Sequence, residues 1–352
     1  MPTVTAVRSF AKINLGLRIG PPRADGFHHL HTLYQTIGLF DELSVEAERV
    51  SATEIHLQCS DPRVPTDGRN TVYRTVEAAL LAMGVTARVR IYLRKNLPMQ
   101  GGLGAGSANA AAALLGLERQ LGIALPGAQR LTLAERIGSD VPLFLIGGTV
   151  YGHNRGELVM PYPDIPETHC VIVAPGVGSS TPLAFRAWDE RVSALTPEAA
   201  QDRLNELSRV YASAFAQTGS ASETGASGAS GALDAGETFP HESGSLAGNP
   251  LPALVRTGME NDFQEVVFSQ HPFLRDILHA LLGYVPGGDE ALPREQRALM
   301  ASLSGSGSSL FGLYGSMASA EAAQARAQAM GVRSFLTTTL TRKAYWRGLF
   351  VS

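Results

Sequence analysis

The sequence predicts an α+β protein with two domains. The chain has 352 residues, and a single hydrophobic core rarely grows beyond about 250–300 residues. Its first fifty residues favour strands, whereas a strand, a glycine-rich loop and a helix succeed one another between residues 88 and 118. A proline-rich connection at 161–166 is typical of a boundary. We therefore expect one domain at 1–160 and a second α+β domain at 161–352.

Hydrophobic patterning predicts the elements on either side of the glycine-rich loop. Alternation of polar and apolar residues favours strands over 4–19 and 40–47, with an apolar continuation at 30–39. Asn70 is suited to cap a helix over 71–83, which Gly84 would end. Further patterns predict helices at 109–118 and 132–137, strands at 88–94 and 169–175, and a turn followed by a strand at 147–152.

Charge and cysteine content limit the partners of the chain. The formal net charge is -3, with 29 basic and 32 acidic residues, which gives no electrostatic reason to expect nucleic acid or an anionic membrane. Cys59 and Cys170 form no C-x-x-C pattern, so we expect two buried, reduced thiols and no zinc site. No signal peptide or apolar span is evident, and a cytoplasmic location follows by default. A small molecule is the expected partner, and no protein partner is evident.

One segment of the second half has the composition of an insertion. Residues 216–248 are dominated by Gly, Ala, Ser and Thr, and neither lysine nor arginine occurs between Arg209 and Arg256. Such a segment cannot bury a core. We expect a weakly ordered surface insertion that can be shortened without loss of fold or rate.

The most informative stretch is the loop at 98–108, which has almost no side-chain bulk. Its glycines permit close backbone approach to a ligand, and the amides of the helix that follows attract anions. It lacks the lysine and hydroxyl residue of a P-loop and does not fit the dinucleotide fingerprint. A phosphate cradle and a tight structural turn therefore both remain open for this loop taken alone.

Four other segments carry possible chemistry, each with a plainer alternative. Lys12 and Asn14 lie two apart in a strand and project to one face, although an edge strand with a solvated face has the same pattern. Segment 23–30 contains a turn and His28, beside Phe27, and suits a planar base better than a metal. Asp140 follows small residues and has the alternative role of an N-cap. Residues 304–309 form a second small-residue loop.

Together these segments resemble one family, the GHMP small-molecule kinases. Loop 98–108 resembles the ATP-binding motif of that family, and loop 304–309 resembles its C-terminal glycine motif. Segments 11–15 and 24–28, with the Gly138-x-Asp140-Val141-Pro142 and Met259 to Phe263 motifs, resemble the branch that phosphorylates a methylerythritol linked to cytidine diphosphate. The resemblance covers most of the chain outside the insertion.

The resemblance implies a two-domain GHMP kinase fold with an N-terminal nucleotide-binding domain and a C-terminal ferredoxin-like α/β sandwich domain. It implies transfer of the γ-phosphoryl of ATP to the 2-hydroxyl of the substrate, with Mg²⁺ required, in the non-mevalonate route to isoprenoid precursors. Lys12 and Asp140 fall on catalytic positions, and no protein metal ligand is assigned. Four residues fall on substrate positions, namely Asn14, Phe27, His28 and Phe185. The residues expected to bind ATP are Asn70, Thr71, Pro98, Met99, Gln100, Gly101, Gly102, Leu103, Gly104, Ala105, Gly106, Ser107 and Ala108.

The chain departs from the family pattern at four of these positions. Phe27 stands where tyrosine is usual, Gln100 and Ala105 replace glycines, and Ala108 replaces a serine. Ala105 at positive φ would cost about 1 kcal/mol, so we expect either another conformation or mild strain there. A kinase of another alcohol, such as homoserine or mevalonate, and a non-catalytic nucleotide-binding relative are the alternative functions.

Overall fold

Two β-sheets that share an apolar core organise the chain in this computed structural model. The structure describes residues 4–23, 25–99, 101–192, 259–284 and 290–351, together with 196, 199, 202–207, 209 and 251. Gln100 and the expected insertion at 216–248 lie outside the described residues.

The described part of the chain contains the following eleven strands and eight helices. The strands are β1 (Thr5–Pro22), β2 (His28–Arg49), β3 (Glu54–Cys59), β4 (Ala87–Arg94), β5 (Thr149–Asn154), β6 (Leu158–Pro161), β7 (His169–Ala174), β8 (Met300–Leu303), β9 (Leu310–Tyr314), β10 (Arg333–Thr338) and β11 (Phe350–Val351). The helices are α1 (Thr71–Met83), α2 (Ala105–Leu121), α3 (Gly127–Ile137), α4 (Thr181–Val192), α5 (Phe263–Gln270), α6 (Phe273–Leu282), α7 (Met317–Ala329) and α8 (Arg342–Leu349). Short 3₁₀ helices span Pro142–Leu145 and Arg294–Gln296.

The first sheet is built around the long strand β2. Its strand order is β11-β1-β2-β4-β3, and β5 and β6 extend it beside the first half of β2. All its pairs are antiparallel except β3 with β4. The sequence suggested residues 30–39 and 40–47 as separate segments, but both belong to the single strand β2. The first half of β2 pairs with β5 and the second half with β4.

The second sheet has the ferredoxin-like arrangement that the resemblance implied. Its order is β10-β7-β9-β8, with every pair antiparallel. Helices α4 to α6 lie in the connection between the first two of its strands, and α7 connects the last two. This is the β-α-β-β-α-β pattern of that fold.

Alternation along β7 shows how the layers meet. Cys170 and Ile172 belong to the core shared with Ile13 and Leu33 of the first sheet, whereas Val171 and its i+2 neighbour pack with the helices of the second sheet. Successive side chains of a strand point to opposite faces. Both faces of β7 are therefore buried, which explains its continuous apolar run.

The expected division at residues 160 and 161 stays a prediction, and one feature complicates it. Strand β6 of the first sheet ends at Pro161, and β7 of the second begins at His169. Strand β11, however, pairs with β1 through Ala6 and Val351, so the last residues return to the first sheet. Sequence patterns cannot indicate a pairing of this kind because they are local. Within the described residues, no helix has the length and apolarity of a membrane span.

Candidate active site

The site begins at an irregular part of β1. The register with β2 shifts between Phe10 and Lys12 and again between Asn14 and Gly16, and such bulges redirect side chains. Lys12 and Asn14 are each 2 % exposed, and Lys12 Nζ donates to Asn14 Oδ1 at 2.6 Å and to the carbonyl of Gly102 at 2.8 Å. The two side chains converge, as their spacing predicted, and they do not form a solvated edge.

Asp140 completes an ion pair with Lys12. The distance from Lys12 Nζ to Asp140 Oδ2 is 3.4 Å, and the Asp140 side chain is 31 % exposed against 3 % for Lys12. Tyr34 donates its hydroxyl to Asp140 Oδ1 at 2.9 Å. Burial, with the charge of Asp140, raises the pKa of Tyr34, so Tyr34 remains a donor at neutral pH. The N-cap of the 3₁₀ helix that follows is Val141, so the structure does not give Asp140 the alternative role of an N-cap.

A relay behind Asn14 fixes the orientation of its amide. Asn14 Nδ2 donates to Thr32 Oγ1 at 2.7 Å, and the Thr32 hydroxyl donates to the carbonyl of Gly16 at 2.9 Å. Because an amide nitrogen only donates, its oxygen must face Lys12. The ammonium group of Lys12 is thus held by three oxygen atoms, from Asn14, Gly102 and Asp140.

The glycine loop approaches β1 more closely than a side chain would allow. Gly102 has φ 75°, and a Cβ added there would lie 2.0 Å from the carbonyl oxygen of Ser304. Gly104 has φ 69° and is the N-cap residue of α2. Because glycine has no side chain, it caps none of the free amides in the first turn of this helix. Ala105 is the first residue of α2 and is not among the described residues with positive φ. Ala105 therefore avoids the left-handed conformation, which was the first of the two alternatives expected for it.

The loop at 304–309 locks against the first glycine loop. Ser304 Oγ donates to the carbonyl of Gly102 at 3.0 Å, and the amide of Ser309 donates to the carbonyl of Gly101 at 3.2 Å. Asn261 Nδ2 donates to the carbonyls of Leu303 and Gly305, both at 2.8 Å. The second loop is a wall of the site and not a free turn.

A cleft of about 490 Å³ lies on the α1 side of the glycine loop. Asn70 caps α1 by accepting from the amide of Val72 at 2.9 Å, and Thr71 donates to the carbonyl of Gly106 at 2.8 Å. Ala108 does not line this cleft: it is 2 % exposed and its amide donates to the carbonyl of Gly104. The predicted residues that do line it are Asn70, Thr71, Pro98, Met99, Gly101, Gly102, Leu103, Gly104, Ala105, Gly106 and Ser107.

Lys95 also lines this cleft, although the sequence reasoning did not single it out. Its ammonium group pairs with the fully buried carboxylate of Asp41. Asp41 also accepts from the amides of Asn96 and Leu97, at 2.7 and 2.8 Å, and from Asn109 at 3.1 Å. Four donors hold this carboxylate between β2, the end of β4 and α2. One sign of this arrangement was present in the sequence, the aspartate Asp41 within an alternating strand pattern.

A larger cavity of about 1110 Å³ lies on the other side of the loop. Lys12, Asn14 and Asp140 line one part of it, and Phe27, His28 and Phe185 line another. The rings of His28 and Phe185 are stacked, with centroids 4.6 Å apart and planes at 15°. Phe27 is 50 % exposed, with the Arg155 guanidinium 4.8 Å from its ring centroid. The cavity therefore has a charged end and an aromatic end.

A hydrogen-bonded turn holds Phe27 in place. Asp25 Oδ1 accepts from the amide of Phe27 at 3.1 Å, and this bond, followed by the charge of Arg23, lowers the pKa of the Asp25 carboxyl. Gly26 has φ 81°, a conformation that favours glycine. Among the described residues, no three side chains of His, Cys, Asp or Glu gather as a metal site. Of the histidines in this segment, His28 lines the larger cavity.

The fold and these paired cavities define a class of protein. Residues 70–148 match the family model of the GHMP kinases N terminal domain. A homoserine kinase structure from Cytophaga hutchinsonii shares the fold, with a TM-score of 0.67 and 19 % identity over 97 % of this chain and 96 % of that one. The chain has the fold of a GHMP kinase.

More similar relatives narrow the class. A 4-diphosphocytidyl-2-C-methyl-D-erythritol kinase of Solibacter usitatus is 35 % identical over 309 residues, 88 % of this chain and 80 % of the relative. One from Synechococcus is 32 % identical over 317 residues, 90 % and 86 % of the two chains. A crystal structure of 4-(cytidine 5'-diphospho)-2C-methyl-D-erythritol kinase matches with 27 % identity and a TM-score of 0.64, over 95 % and 98 % of the two chains. The chain belongs to the 4-diphosphocytidyl-2-C-methyl-D-erythritol kinase family.

Proposed function

We propose that this chain phosphorylates the 2-hydroxyl of 4-diphosphocytidyl-2-C-methyl-D-erythritol with ATP, giving the 2-phosphate and ADP. The observation that carries the proposal is the position of the Lys12–Asp140 pair. It lies in the larger cavity beside Gly102 and Gly104. These two glycines also line the cleft on the α1 side of the loop, hereafter the nucleotide-side cleft. A hydroxyl placed at that pair would face a phosphoryl group held by the glycine loop. This reaction is a step of the non-mevalonate route to isoprenoid precursors.

In this proposal Asp140 orients the alcohol and accepts its proton. An alcohol is a weak nucleophile at neutral pH, and a carboxylate within hydrogen-bond reach takes its proton as the bond to phosphorus forms. Tyr34 and Lys12 fix the two carboxylate oxygens. The Lys12 ammonium also offsets negative charge that develops on the reacting oxygen and on the transferring phosphoryl group.

The nucleotide-side cleft supports the binding of ATP. The amides between Gly101 and Ser107 and the start of α2 supply donors and a positive dipole end for the phosphates. Gly102 can lie against the backbone of Ser304 only because it lacks a Cβ, and this contact fixes the path of the loop. Mg²⁺ would neutralise phosphate charge, and the Ser107 hydroxyl, which lines this cleft, would contact the metal or a phosphate.

The aromatic end of the larger cavity supports the cytidine part of the substrate. Phe27 offers an exposed ring face for stacking, and Phe185 and His28 line the same space. Aromatic stacking is worth about 1–3 kcal/mol per base. Phe27 lacks the hydroxyl of the tyrosine that is usual at this position, but its ring keeps the face needed for stacking.

The test is a turnover assay with purified protein, ATP, Mg²⁺ and the cytidine substrate, following ADP release and the phosphorylated product. Mevalonate, homoserine and a no-substrate sample serve as controls. Product with the cytidine substrate alone supports the proposal. Turnover only with another alcohol would keep the kinase chemistry and refute the substrate, and ATP binding without any turnover would indicate a non-catalytic relative.

A further inference from the structure

The carboxylate of Asp189 has no role in the reaction described above, yet it lines the larger cavity. It lies on α4, four residues after Phe185, so both side chains are on one face of that helix. Asp189 Oδ1 is 2.7 Å from His28 Nε2, and the side chains are 40 % and 6 % exposed. Helix α4 therefore holds His28 by two contacts at once, a ring stack and a hydrogen bond.

The position of Phe185 is itself fixed from behind. Phe263, the first residue of α5, meets the Phe185 ring edge to face, with centroids 4.9 Å apart and planes at 80°. Phe263 is 2 % exposed and belongs to the core of the second sheet. The stack on His28 consequently rests on a packed support and not on a mobile surface ring.

The hydrogen bond to Asp189 determines which nitrogen of His28 carries the proton. An ionised carboxylate only accepts, so Nε2 must donate. In a neutral imidazole the other nitrogen, Nδ1, is then a bare acceptor. Within the described residues, Nδ1 has no hydrogen-bond partner, and it is not among the enclosed unpartnered atoms. It remains accessible to a ligand in the cavity that His28 lines.

A fixed acceptor distinguishes the two pyrimidines. Cytosine presents an amino donor at position 4, whereas uracil and thymine present a carbonyl acceptor there. A nitrogen acceptor held opposite position 4 accepts a hydrogen bond from the amino group of cytosine and repels the carbonyl oxygen of uracil or thymine. Sites built around a hydrogen bond reject analogues that cannot make it far more strongly than apolar pockets do.

We propose that Asp189 is a positioning residue that keeps His28 Nδ1 as an acceptor and thereby makes the site select cytidine over uridine substrates. This inference rests on the proposed function, because it assumes that the base enters the larger cavity. It assigns base discrimination to a residue outside the contacts made by Lys12 and Asp140.

The test measures binding of CDP and UDP by calorimetry, with saturating ADP present to fill the nucleotide-side cleft. Asp189→Leu removes the acceptor, and Asp189→Asn lets the ring adopt either tautomer because an amide also donates. Both should lower the CDP to UDP affinity ratio at least about tenfold. Glu190→Gln, a neighbouring carboxylate on α4 outside the cavity lining, should leave the ratio unchanged. An unchanged ratio in both Asp189 variants, or no preference in the wild type, overturns the inference.

A nitrogen-15 NMR measurement separates tautomer control from simple packing. The His28 signals, assigned by their loss in His28→Gln, should show a protonated Nε2 and a bare Nδ1 in the wild type, and a mixture in Asp189→Asn. A protonated Nδ1 in the wild type would refute the inference. Turnover of the cytidine substrate by the wild type is scored separately, so a failed kinase assay beside an Asp189-dependent preference for CDP rejects only the proposed function.

Discussion

The two oxygen atoms of Asp140 have different partners, and these contacts fix the carboxylate at the charged end of the larger cavity. Oδ1 accepts from Tyr34 and Oδ2 faces Lys12. Tyr34 is buried and Lys12 is held by Asn14 and Gly102, so neither partner can turn away without losing its own hydrogen bonds. The carboxylate is pre-positioned, and preorganised groups stabilise developing charge without reorganisation at the moment of reaction.

Asp140→Asn should lower the turnover number by about 10²–10⁴-fold, the usual size of a general-base contribution. An amide cannot take a proton from the alcohol, whereas the nucleotide-side cleft does not include this side chain. ATP affinity, measured by calorimetry, should therefore change little. Asp276→Asn, an exposed carboxylate on α6 outside both cavities, is the matched control. Near-normal turnover in Asp140→Asn would remove this residue from the mechanism.

Sequence reasoning located the residues that have local signatures. Lys12 and Asn14 follow the period of two in a strand, and Asn70 precedes a helical pattern. It missed Tyr34, Thr32 and their links to Asp140 and Asn14, because these contacts join positions up to 106 apart in the chain. The sequence pointed to Asn261 only as a member of the Met259 to Phe263 motif and predicted no contact for it. Its two hydrogen bonds to the carbonyls of Leu303 and Gly305 depend on how the sheets meet.

At the scale of elements, the position of the glycine loop is fixed by hydrogen bonds from strand β1 on one side and from the loop at 304–309 on the other. Lys12 donates its amide to the carbonyl of Leu103 at 3.0 Å, and Ser304 and Ser309 bond the loop from the other side. The helix that follows is buried on nearly all its faces from Ala108 to Glu118. Gly116 of this helix lies so close to β2 that a Cβ would be 2.9 Å from Val45.

Gly102→Ala should reduce both thermal stability and ATP affinity, because the new Cβ would collide with the backbone of Ser304. Gly122→Ala is the matched control, since Gly122 has a similar φ of 65° with no atom within 4 Å of a Cβ. The control should lose about 1 kcal/mol of stability from the left-handed backbone alone. A larger loss for Gly102→Ala, with ATP binding weakened at least about tenfold, is the expected result. Equal effects would contradict the close-contact argument.

The boundaries of elements were predictable where a cap or glycine marks them. Helix α1 runs from Thr71 to Met83 between Asn70 and Gly84, as the pattern indicated. Strand β3 was not anticipated, because its burial pattern is mixed and it pairs in parallel with β4. Strand β7 and an α+β second domain were predicted from local patterns, but the ferredoxin-like arrangement of the second sheet was expected only through the family resemblance, since its strand order depends on pairings between distant segments.

At the scale of the whole molecule, the buried Arg18 of the first sheet forms ionic contacts with the segment that precedes α5, a helix packed on the second sheet. Arg18 of β1 donates to Asp262 at 3.0 Å and to Glu260 at 2.9 Å, and Asp262 accepts from the amide of Ile19 at 2.8 Å. Burial raises the pKa of the Asp262 carboxyl against the opposing effect of Arg203 and Arg18. Removing one partner of such a pair leaves a buried charge uncompensated. We expect the two sheets to unfold together for this reason.

The two cysteines offer a measurement of that coupling. Cys170 lies on β7 and is 0 % exposed, and burial raises the pKa of its thiol. It should therefore react with a thiol reagent only when the second sheet opens. Cys59 on β3 is only partly buried and should react in the native protein. The labelling of Cys170 in denaturant should follow the loss of circular dichroism. Labelling at lower denaturant would show that the second sheet opens alone.

Among the described residues, Gly102 and Gly104 are the two that line both cavities, and this arrangement has a consequence for steady-state kinetics. In the proposed reaction the phosphoryl donor lies on one side of the loop and the acceptor alcohol on the other, so both must be bound before transfer can occur. Initial rates measured at several concentrations of each should therefore give intersecting reciprocal plots, the pattern of a ternary complex. Parallel plots would mean that a side chain carries the phosphoryl group between two half-reactions.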